Sequence, residues 1–550
     1  MRNIKRYALF ALLACFFFAL PACASPAELT GPDRSVLPDS LQGLSFDEHL
    51  DISVGYWNID AMVKAAQPDD VTRYMEELFN ITLHPVSVTW SNYKERYQIL
   101  SATGSLPDVF ATVTISSSNT DDSASYTDMI ESGSIRALPE DLSSYPLLNG
   151  LLKAVPYTRY SDGAFYAIPR VSFTTPILTS TDAALLVRRD WMNQLGLEDP
   201  ENFEEFLALT AAFAKEDPDG NGIDDTIGYN VNTRAALGKW VILGIAPKCN
   251  IFSWVEENGR FVPTWTTEDF KTVIASYRCL YDAGGLDPEF YTKSPVTVME
   301  DFAAGRLGAL EYKSSPSAFR EVKEQWDVLN DKPFEECVDV LPVFPAPDGI
   351  RYSNSSGVFW SESYISSAAD DAKLERILAL FEFLLSEQGR RLCLYGIEGV
   401  DYTRTEDGNY KYLLNIDEKA SDFLERKYPS LTLFANIATW GGGWEDFEET
   451  ETNYQRYGEA CVKLARKSVL WYQENTTQLT RPHAFLLYPK EPSDYFNSSQ
   501  VLGAFIECII GNGDPVRMWE KALNTMYEQG LEEYIDRQNE NYREQEQALR

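Results

Sequence analysis

Asp217, Asp219 and Asn221 alternate along one loop and are followed by Gly222, Ile223 and Asp225. Counted from Asp217, these are positions 1, 3, 5, 6, 7 and 9. Oxygen donors at that spacing suit Ca²⁺, a hard cation that takes about six to eight oxygens at roughly 2.3–2.6 Å. Gly222 permits the sharp turn, and Ile223 offers its backbone carbonyl. The spacing repeats the first half of an EF-hand loop, but Gly228 stands where the bidentate glutamate of position 12 would be. The expected ligands are Asp217, Asp219, Asn221, the Ile223 carbonyl and Asp225, with the ion stabilising the fold rather than acting in catalysis. A plain Asp/Gly-rich surface turn is the alternative.

Catalytic chemistry has no comparable signal. His49, His84 and His483 are the only histidines and lie far apart. There is no HExxH, no GxSxG elbow, no Ser-His-Asp order and no phosphate-cradling glycine loop. With 83 acidic residues, carboxylate pairs are unavoidable, and none is singled out as a glycosidase pair. A binder without catalysis is expected. A surface glycoside hydrolase is the alternative, and an adhesive lipoprotein lacks the repeats it would need. The balance of 48 basic against 83 acidic residues gives a net charge of −35, which repels phosphate backbones and anionic lipid.

The N-terminus reads as an export signal. Arg2, Lys5 and Arg6 precede an uncharged apolar run from Tyr7 to Leu20, too short to span a bilayer comfortably. Leu20-Pro21-Ala22-Cys23 is similar to a lipobox, with Cys23 as the lipidated first residue of the mature chain. Leu12-Leu13-Ala14-Cys15 is a closer local match but leaves a core of only about eight residues, at the short end of the usual range. A plain secretory signal cut near Ala24 is the third option. Cys249, Cys279, Cys337, Cys393, Cys461 and Cys508 form no CxxC pair, which disfavours zinc and thioredoxin-type readings. Export permits disulfides, and their apolar neighbours equally suit buried thiols.

Residues 25–45, rich in Pro, Ser, Gly and Asp, read as a flexible tether. Ile52–Trp57 is strand-like, Asp69–Phe79 helical, Leu83–Trp90 strand-like again, and Leu106–Ala111 a third apolar segment. Ser116–Ser125 reads as a surface loop. Ala184–Val187 is a strand. Asn202 stands three residues before Glu205, a helix-opening cap, and Phe203, Phe206, Leu207 and Thr210 share one face of the helix that follows. That helix runs into the Asp217 loop. Alternating strands and helices indicate an α/β layer structure.

Five fragments carry a resemblance. They are Arg188-Arg189-Asp190-Trp191-Met192-Asn193-Gln194-Leu195-Gly196-Leu197, the Asp217–Gly222 loop, Leu280–Glu289, Phe302–Gly308 and Tyr395–Thr403. Each is similar, in order, to a segment of the extracellular solute-binding proteins of family 1, in the long lipoprotein subgroup that serves ABC-type carbohydrate importers. Two departures stand out: Thr226 replaces a frequent glutamate after the loop, and Asp401 replaces a histidine. The resemblance implies a two-lobed, periplasmic-binding-protein-like α/β fold with a hinge, type II-like, holding ligand in the cleft. It places a signal peptide at 1–22, the tether at 23–45, the first lobe at 46–182 and 340–400, and the second at 183–339 and 401–550. Crossings are expected near Thr181–Leu185, near Val338–Ser356 and after Gly399. The partners implied are a saccharide, permease subunits and, through the lipid anchor, the outer face of the cytoplasmic membrane. The expected state is a monomer.

The chain holds 12 Trp, 30 Tyr and 29 Phe. Sugar C–H faces pack on aromatic rings while hydroxyls seek polar partners, so an aromatic-rich acidic binder suits neutral or cationic saccharides. The candidate ligand-binding residues are Trp57, Trp240, Trp360, Trp440 and Trp444. The last two flank Gly441-Gly442-Gly443, which makes them a mobile pair. For any one of them core packing is the alternative use; Trp191 is expected in the core.

Overall fold

The computed structural model describes residues 34–115, 120–172, 174–231, 237–249, 254–354, 359–406, 408–413, 420–439, 443–479 and 498–549. The signal segment, Cys23 and Trp440 lie outside them. The elements that matter are, in chain order, β1 (Leu50–Trp57), α1 (Asp70–Phe79), β2 (Ile81–Val88), α2 (Tyr93–Ala102), β3 (Val109–Thr112), α3 (Thr120–Glu131), β4 (Ala167–Val171), β5 (Ala184–Arg188), α4 (Phe203–Lys215), β6 (Ile227–Val231), α5 (Lys239–Ile245), β7 (Leu307–Tyr312), β8 (Val338–Leu341), β9 (Phe359–Ile365) and α6 (Leu431–Ile437).

They build two sheets. The first has the order β2-β1-β3-β9-β4, with β1 parallel to β2 and β3, and β9 antiparallel to both its neighbours. The second has the order β8-β5-β7-β6, with only β6 and β7 parallel. β5 is buried along its whole length because alternate side chains enter different cores. Leu185 and Val187 join the core that includes Trp191, Phe206 and Trp240, whereas Leu186 joins the one around Phe319 and Trp326. Helices therefore cover both faces of this sheet, as the continuous apolar run requires.

Helix starts follow their caps. Asp69 accepts the Thr72 N–H at 2.7 Å, and Asn202 accepts the Glu205 N–H at 2.9 Å while Glu205 takes the Glu201 N–H. Asp69 also accepts from Ser430 N–H and hydroxyl, which ties α1 to a segment 361 residues later in the chain.

Among the described residues the chain crosses between the sheets three times, and the second and third crossings come later than the expected lobe boundaries. After β4 a 3₁₀ segment, Pro176–Asp182, leads to β5, with Leu178 already in a second-lobe core. The second crossing lies beyond Ser353, at the far end of the expected Val338–Ser356 stretch rather than at the 339/340 lobe boundary. Val343 and Phe344 pack in the second lobe, and Ser353 pairs with Gln478 before β9 begins. The third lies beyond Ala438, not after Gly399. Tyr402, Tyr412, Tyr428 and Phe434 all pack in the first lobe's core, where Asp401, fully buried, accepts from Tyr428, Lys427 and the Ile397 N–H. Val171 and Thr439 bridge in parallel, so the first and third crossings leave the first lobe side by side.

Two further expectations are corrected. The tether is not free throughout: Leu37 and Leu41 insert into the first core at 3% and 0% exposure, held by two 3₁₀ turns. The span expected as a loop at Ser116–Ser125 enters α3 at Thr120. All six cysteines from Cys249 to Cys508 are free thiols. Among the described residues, no helix is long and apolar enough to cross a membrane.

Candidate functional site

The C-terminal ends of β1 and β2 lie side by side, and each delivers a tryptophan. Trp57 closes β1, and Trp90 follows β2 by two residues. In sheets of this kind, ligands bind beyond the carboxyl ends of parallel strands. Trp90 is 51% exposed, and Trp57 beneath it only 4%. Tyr93 at the start of α2 and half-buried Trp360 on β9 complete a cluster. Ring centroids are 5.3 Å apart for Trp57–Trp90, 5.5 Å for Trp90–Tyr93, 5.7 Å for Trp90–Trp360 and 6.1 Å for Trp57–Trp360. The last two pairs are tilted by only 33° and 30°. Trp57 Nε1 is a buried donor with no hydrogen-bond partner among the described residues.

The floor of the cluster is polar and charged. Arg170 on β4 is wholly buried and lies 5.2 Å from the ring centroids of both Tyr56 and Trp57. Burial pushes its pKa down, against the pull of Tyr56. Glu362, also wholly buried, accepts the Thr114 N–H at 2.9 Å. A cavity of about 470 Å³ lies on the same lobe between α2 and α3, lined by Lys94, Gln98, Ser101, Thr114, Ser125 and Asp128 among others. Lys94 directly follows Tyr93 of the cluster.

The other expected tryptophans divide. Trp240 does not line a cleft: it is wholly buried in the second lobe against Phe206 at 5.4 Å and Phe344 at 5.5 Å. Its helix, α5, begins on Glu311, whose buried carboxylate accepts from the Lys239 and Trp240 N–H groups and from Tyr229. Burial raises the pKa of that carboxyl. Gly238 is obligatory there, because a Cβ would come within 2.2 Å of both Glu311 Oε2 and the Tyr229 hydroxyl. Trp444 is half-buried on the second lobe, 6.1 Å from Phe447. Trp191 is a core residue, edge-on to Phe213 with Arg188 stacked 4.3 Å from its centroid. Arg188 pairs with Asp190 and Arg189 with Asp199, so neither is a free cleft cation.

Trp90, Tyr93 and Arg170 are absent from the sequence candidates. Their signals are a tryptophan just past a strand, an aromatic opening the next helix, and a lone arginine inside the apolar strand Ala167-Ile168-Pro169-Arg170-Val171.

The cation loop closes on Asn221. Asp217 accepts the Asn221 and Gly222 N–H groups at 3.1 and 3.0 Å, while the Asn221 side-chain amide donates to Asp219 at 2.7 Å and Asp225 at 3.2 Å. Gly220 and Gly222 take φ of +72° and +75°, the turn the spacing required. Desolvation, followed by the neighbouring carboxylates Asp217 and Asp225, raises the Asp219 pKa. The carboxylates are drawn to the amide rather than to one another, and no group of three or more His, Cys, Asp or Glu among the described residues is arranged to hold a metal. Ile223 is 59% exposed, and its N–H donates to Asn221 Oδ1 at 2.6 Å.

No family model matches the sequence. Three curated proteins are similar to it. Lipoprotein LipO of Bacillus subtilis (strain 168) is 25% identical over 385 residues, covering 68% of this chain and 72% of LipO. The polygalacturonan/rhamnogalacturonan-binding protein YtcQ of the same organism is 26% identical, covering 62% of this chain and 65% of its own length. The fructooligosaccharide ABC transporter substrate-binding protein FusA of Streptococcus pneumoniae is 22% identical, covering 66% of each. Among solved structures, an HMO-binding, ABC-transporter-associated solute-binding protein of Bifidobacterium longum infantis superposes with a TM-score of 0.63 at 19% identity, covering 90% of this chain and 99% of that one. The FusA EF-hand mutant in complex with fructo-nystose superposes with a TM-score of 0.63 at 16% identity, covering 92% of this chain and 100% of FusA. The fold is that of the two-lobed solute-binding proteins. In its motifs and in these likenesses the chain is similar to the extracellular solute-binding proteins of family 1.

Proposed function

We propose that this chain is the substrate-binding lipoprotein of an ABC-type importer, which captures a saccharide between its lobes and delivers it to a membrane permease without catalysis. The observation that carries this reading is the cluster of Trp57, Trp90, Tyr93 and Trp360 at the carboxyl ends of parallel strands. It presents apolar ring faces above buried polar groups, the combination a sugar ring needs. The binding of polygalacturonan or rhamnogalacturonan by YtcQ and of fructooligosaccharide by FusA supports an oligosaccharide. The hydroxyl-rich cavity beside the cluster offers room for further rings. Trp444, on the far side of the third crossing, is proposed as a contact made when the lobes close, and Trp440 with it.

A thermal-shift screen against fructooligosaccharides, oligogalacturonides and milk oligosaccharides tests the reading. Ligand binding stabilises by about RT ln(1 + [L]/Kd), so micromolar ligands raise the melting temperature measurably. Failure of every saccharide to do so, or release of reducing sugar with turnover, overturns it.

We also propose a structural Ca²⁺ at Asp217, Asp219, Asn221, Asp225 and the Ile223 carbonyl. All of these donors are oxygens, and their mutual repulsion at Asp219 is what a divalent cation relieves. When bound, the ion supplies charge neutralisation and fixes the turn between α4 and β6. The anchor is proposed at Cys23, which places the protein on the outer face of the cytoplasmic membrane as a monomer.

A further inference from the structure

Opposite Arg170 the first sheet carries two residues instead of one. Phe359 pairs with Val171 and Glu362 with Pro169, so Trp360 and Ser361 together face the single residue Arg170. This is a β-bulge, a device that re-aims side chains. Ser361 adopts φ +68°, a conformation that a residue with a side chain holds only when its surroundings enforce it.

Arg170 supplies that enforcement. Its guanidinium donates to Ser361 Oγ at 2.6 Å, to the Tyr56 hydroxyl at 2.8 Å and to the Asn436 carbonyl at 2.5 Å. The Ser361 hydroxyl in turn donates to the Trp360 carbonyl. The same guanidinium lies against the rings of Tyr56 and Trp57. One buried cation thus holds both walls of the aromatic cluster: Trp57 through its ring face, and Trp360 through the backbone of the bulge. Its planar fork makes these bonds in fixed directions, which a lysine ammonium cannot reproduce.

We propose that Arg170, acting through the Trp360–Ser361 bulge, is the positioning residue that sets the mutual angles of Trp57, Trp90 and Trp360 and thereby selects which sugar faces the platform accepts. The proposal rests on the platform being the saccharide site. A flat ring face contacts neighbouring indoles only when their planes are held, and the Trp57–Trp360 and Trp90–Trp360 pairs, tilted by 30° and 33°, share the Trp360 whose backbone Arg170 holds through Ser361.

The test compares Arg170→Lys, Ser361→Gly and Trp90→Ala in the mature protein. Ser361→Gly keeps the left-handed backbone at no steric cost while removing the hydroxyl, so it remains informative if Arg170→Lys does not fold. Three quantities are read: the melting temperature, the far-ultraviolet exciton couplet of the stacked indoles without ligand, and Kd for 1-kestose and trigalacturonate by calorimetry. The expected result is a melt close to wild type for Ser361→Gly, with an altered couplet and affinity weakened at least about fivefold, on the scale of one lost stacking contact. A role confined to folding would lower the melt and leave couplet and affinity unmoved. Wild-type couplet and Kd in folded Ser361→Gly or Arg170→Lys, with Trp90→Ala weakened, overturns the positioning role alone. Unchanged or absent binding in both wild type and Trp90→Ala overturns the platform reading, and with it the selection of sugar faces.

Discussion

Trp57 and Trp90 stand at the ends of neighbouring parallel strands with ring centroids 5.3 Å apart, yet Trp57 is 4% exposed and Trp90 51%. One ring is built into the lobe and serves as the base on which the other is displayed. The two substitutions therefore report on different quantities.

Trp90→Ala is expected to weaken saccharide binding by about 1–2 kcal/mol, roughly five- to thirtyfold, with little change in the melt. Trp57→Ala removes a buried ring and is expected to cost about 3–5 kcal/mol of folding stability as well. Calorimetric binding alongside thermal denaturation separates them. A collapsed melt in Trp90→Ala would return that residue to the scaffold.

Trp240 and Trp444 part in the same way. Trp240→Ala opens a cavity between Phe206 and Phe344 and is expected to cost about 3–5 kcal/mol of stability, with normal affinity in whatever remains folded. Trp444→Ala is expected to weaken binding while the melt stays close to wild type. Full-strength binding by Trp444→Ala would show that lobe closure does not use it.

Chelation is expected to lower the melting temperature, and Asp219→Ala to abolish that sensitivity. The pH dependence has a definite sign. The Asp219 pKa is raised in the folded protein, so the folded chain binds this proton more tightly than the unfolded one. In metal-free protein its unfavourable contribution is fully present above the raised pKa and is relieved as pH falls through it. Ca²⁺ competes with that proton, so its affinity falls over the same window. Calorimetric titration with Ca²⁺ at neutral pH and at a pH within the ordinary carboxylate range checks this; equal affinity at both would remove Asp219 from the ligand set.

Cys23→Ser is expected to move the protein from the membrane to the soluble fraction, or to leave the signal uncleaved. Fractionation with mass analysis of the N-terminus reads the outcome. Normal processing with unchanged membrane retention would transfer the anchor to Cys15.

Local rules made much of the scaffold legible. Asn202 and Glu205 mark the start of α4 because a cap is decided within four residues, and Trp57 can be placed because it closes the strand-like run from Ile52. The crossings are not local. Tyr402, Tyr412 and the residues from Leu424 to Ala438 carry no mark in their own sequence that they pack with β1 and α1 rather than with the second lobe; that is decided by contacts such as Asp69 with Ser430. Trp240 misleads for a related reason. A tryptophan two residues after a glycine suits a cleft and a core equally, and only the closure of Phe344 over it decides. The bulge at Ser361 leaves no sequence trace either, since it needs a partner, Arg170, that lies 191 residues earlier in the chain.

β9 has a consequence for the order of assembly. A chain that emerges N-terminus first delivers β1 to β4 early, but the strand that joins β3 to β4 follows all four strands of the second sheet. Thr114 waits 248 residues for the carboxylate of Glu362. The second sheet, contiguous from Ala184 to Leu341, is thus complete in strands before the first, while the last part of its cores, from Phe447 to Tyr472 and from Val501 to Ile535, arrives at the end. Each lobe is left unfinished until the other has been threaded through, and no truncation before Phe359 can leave behind a whole first lobe.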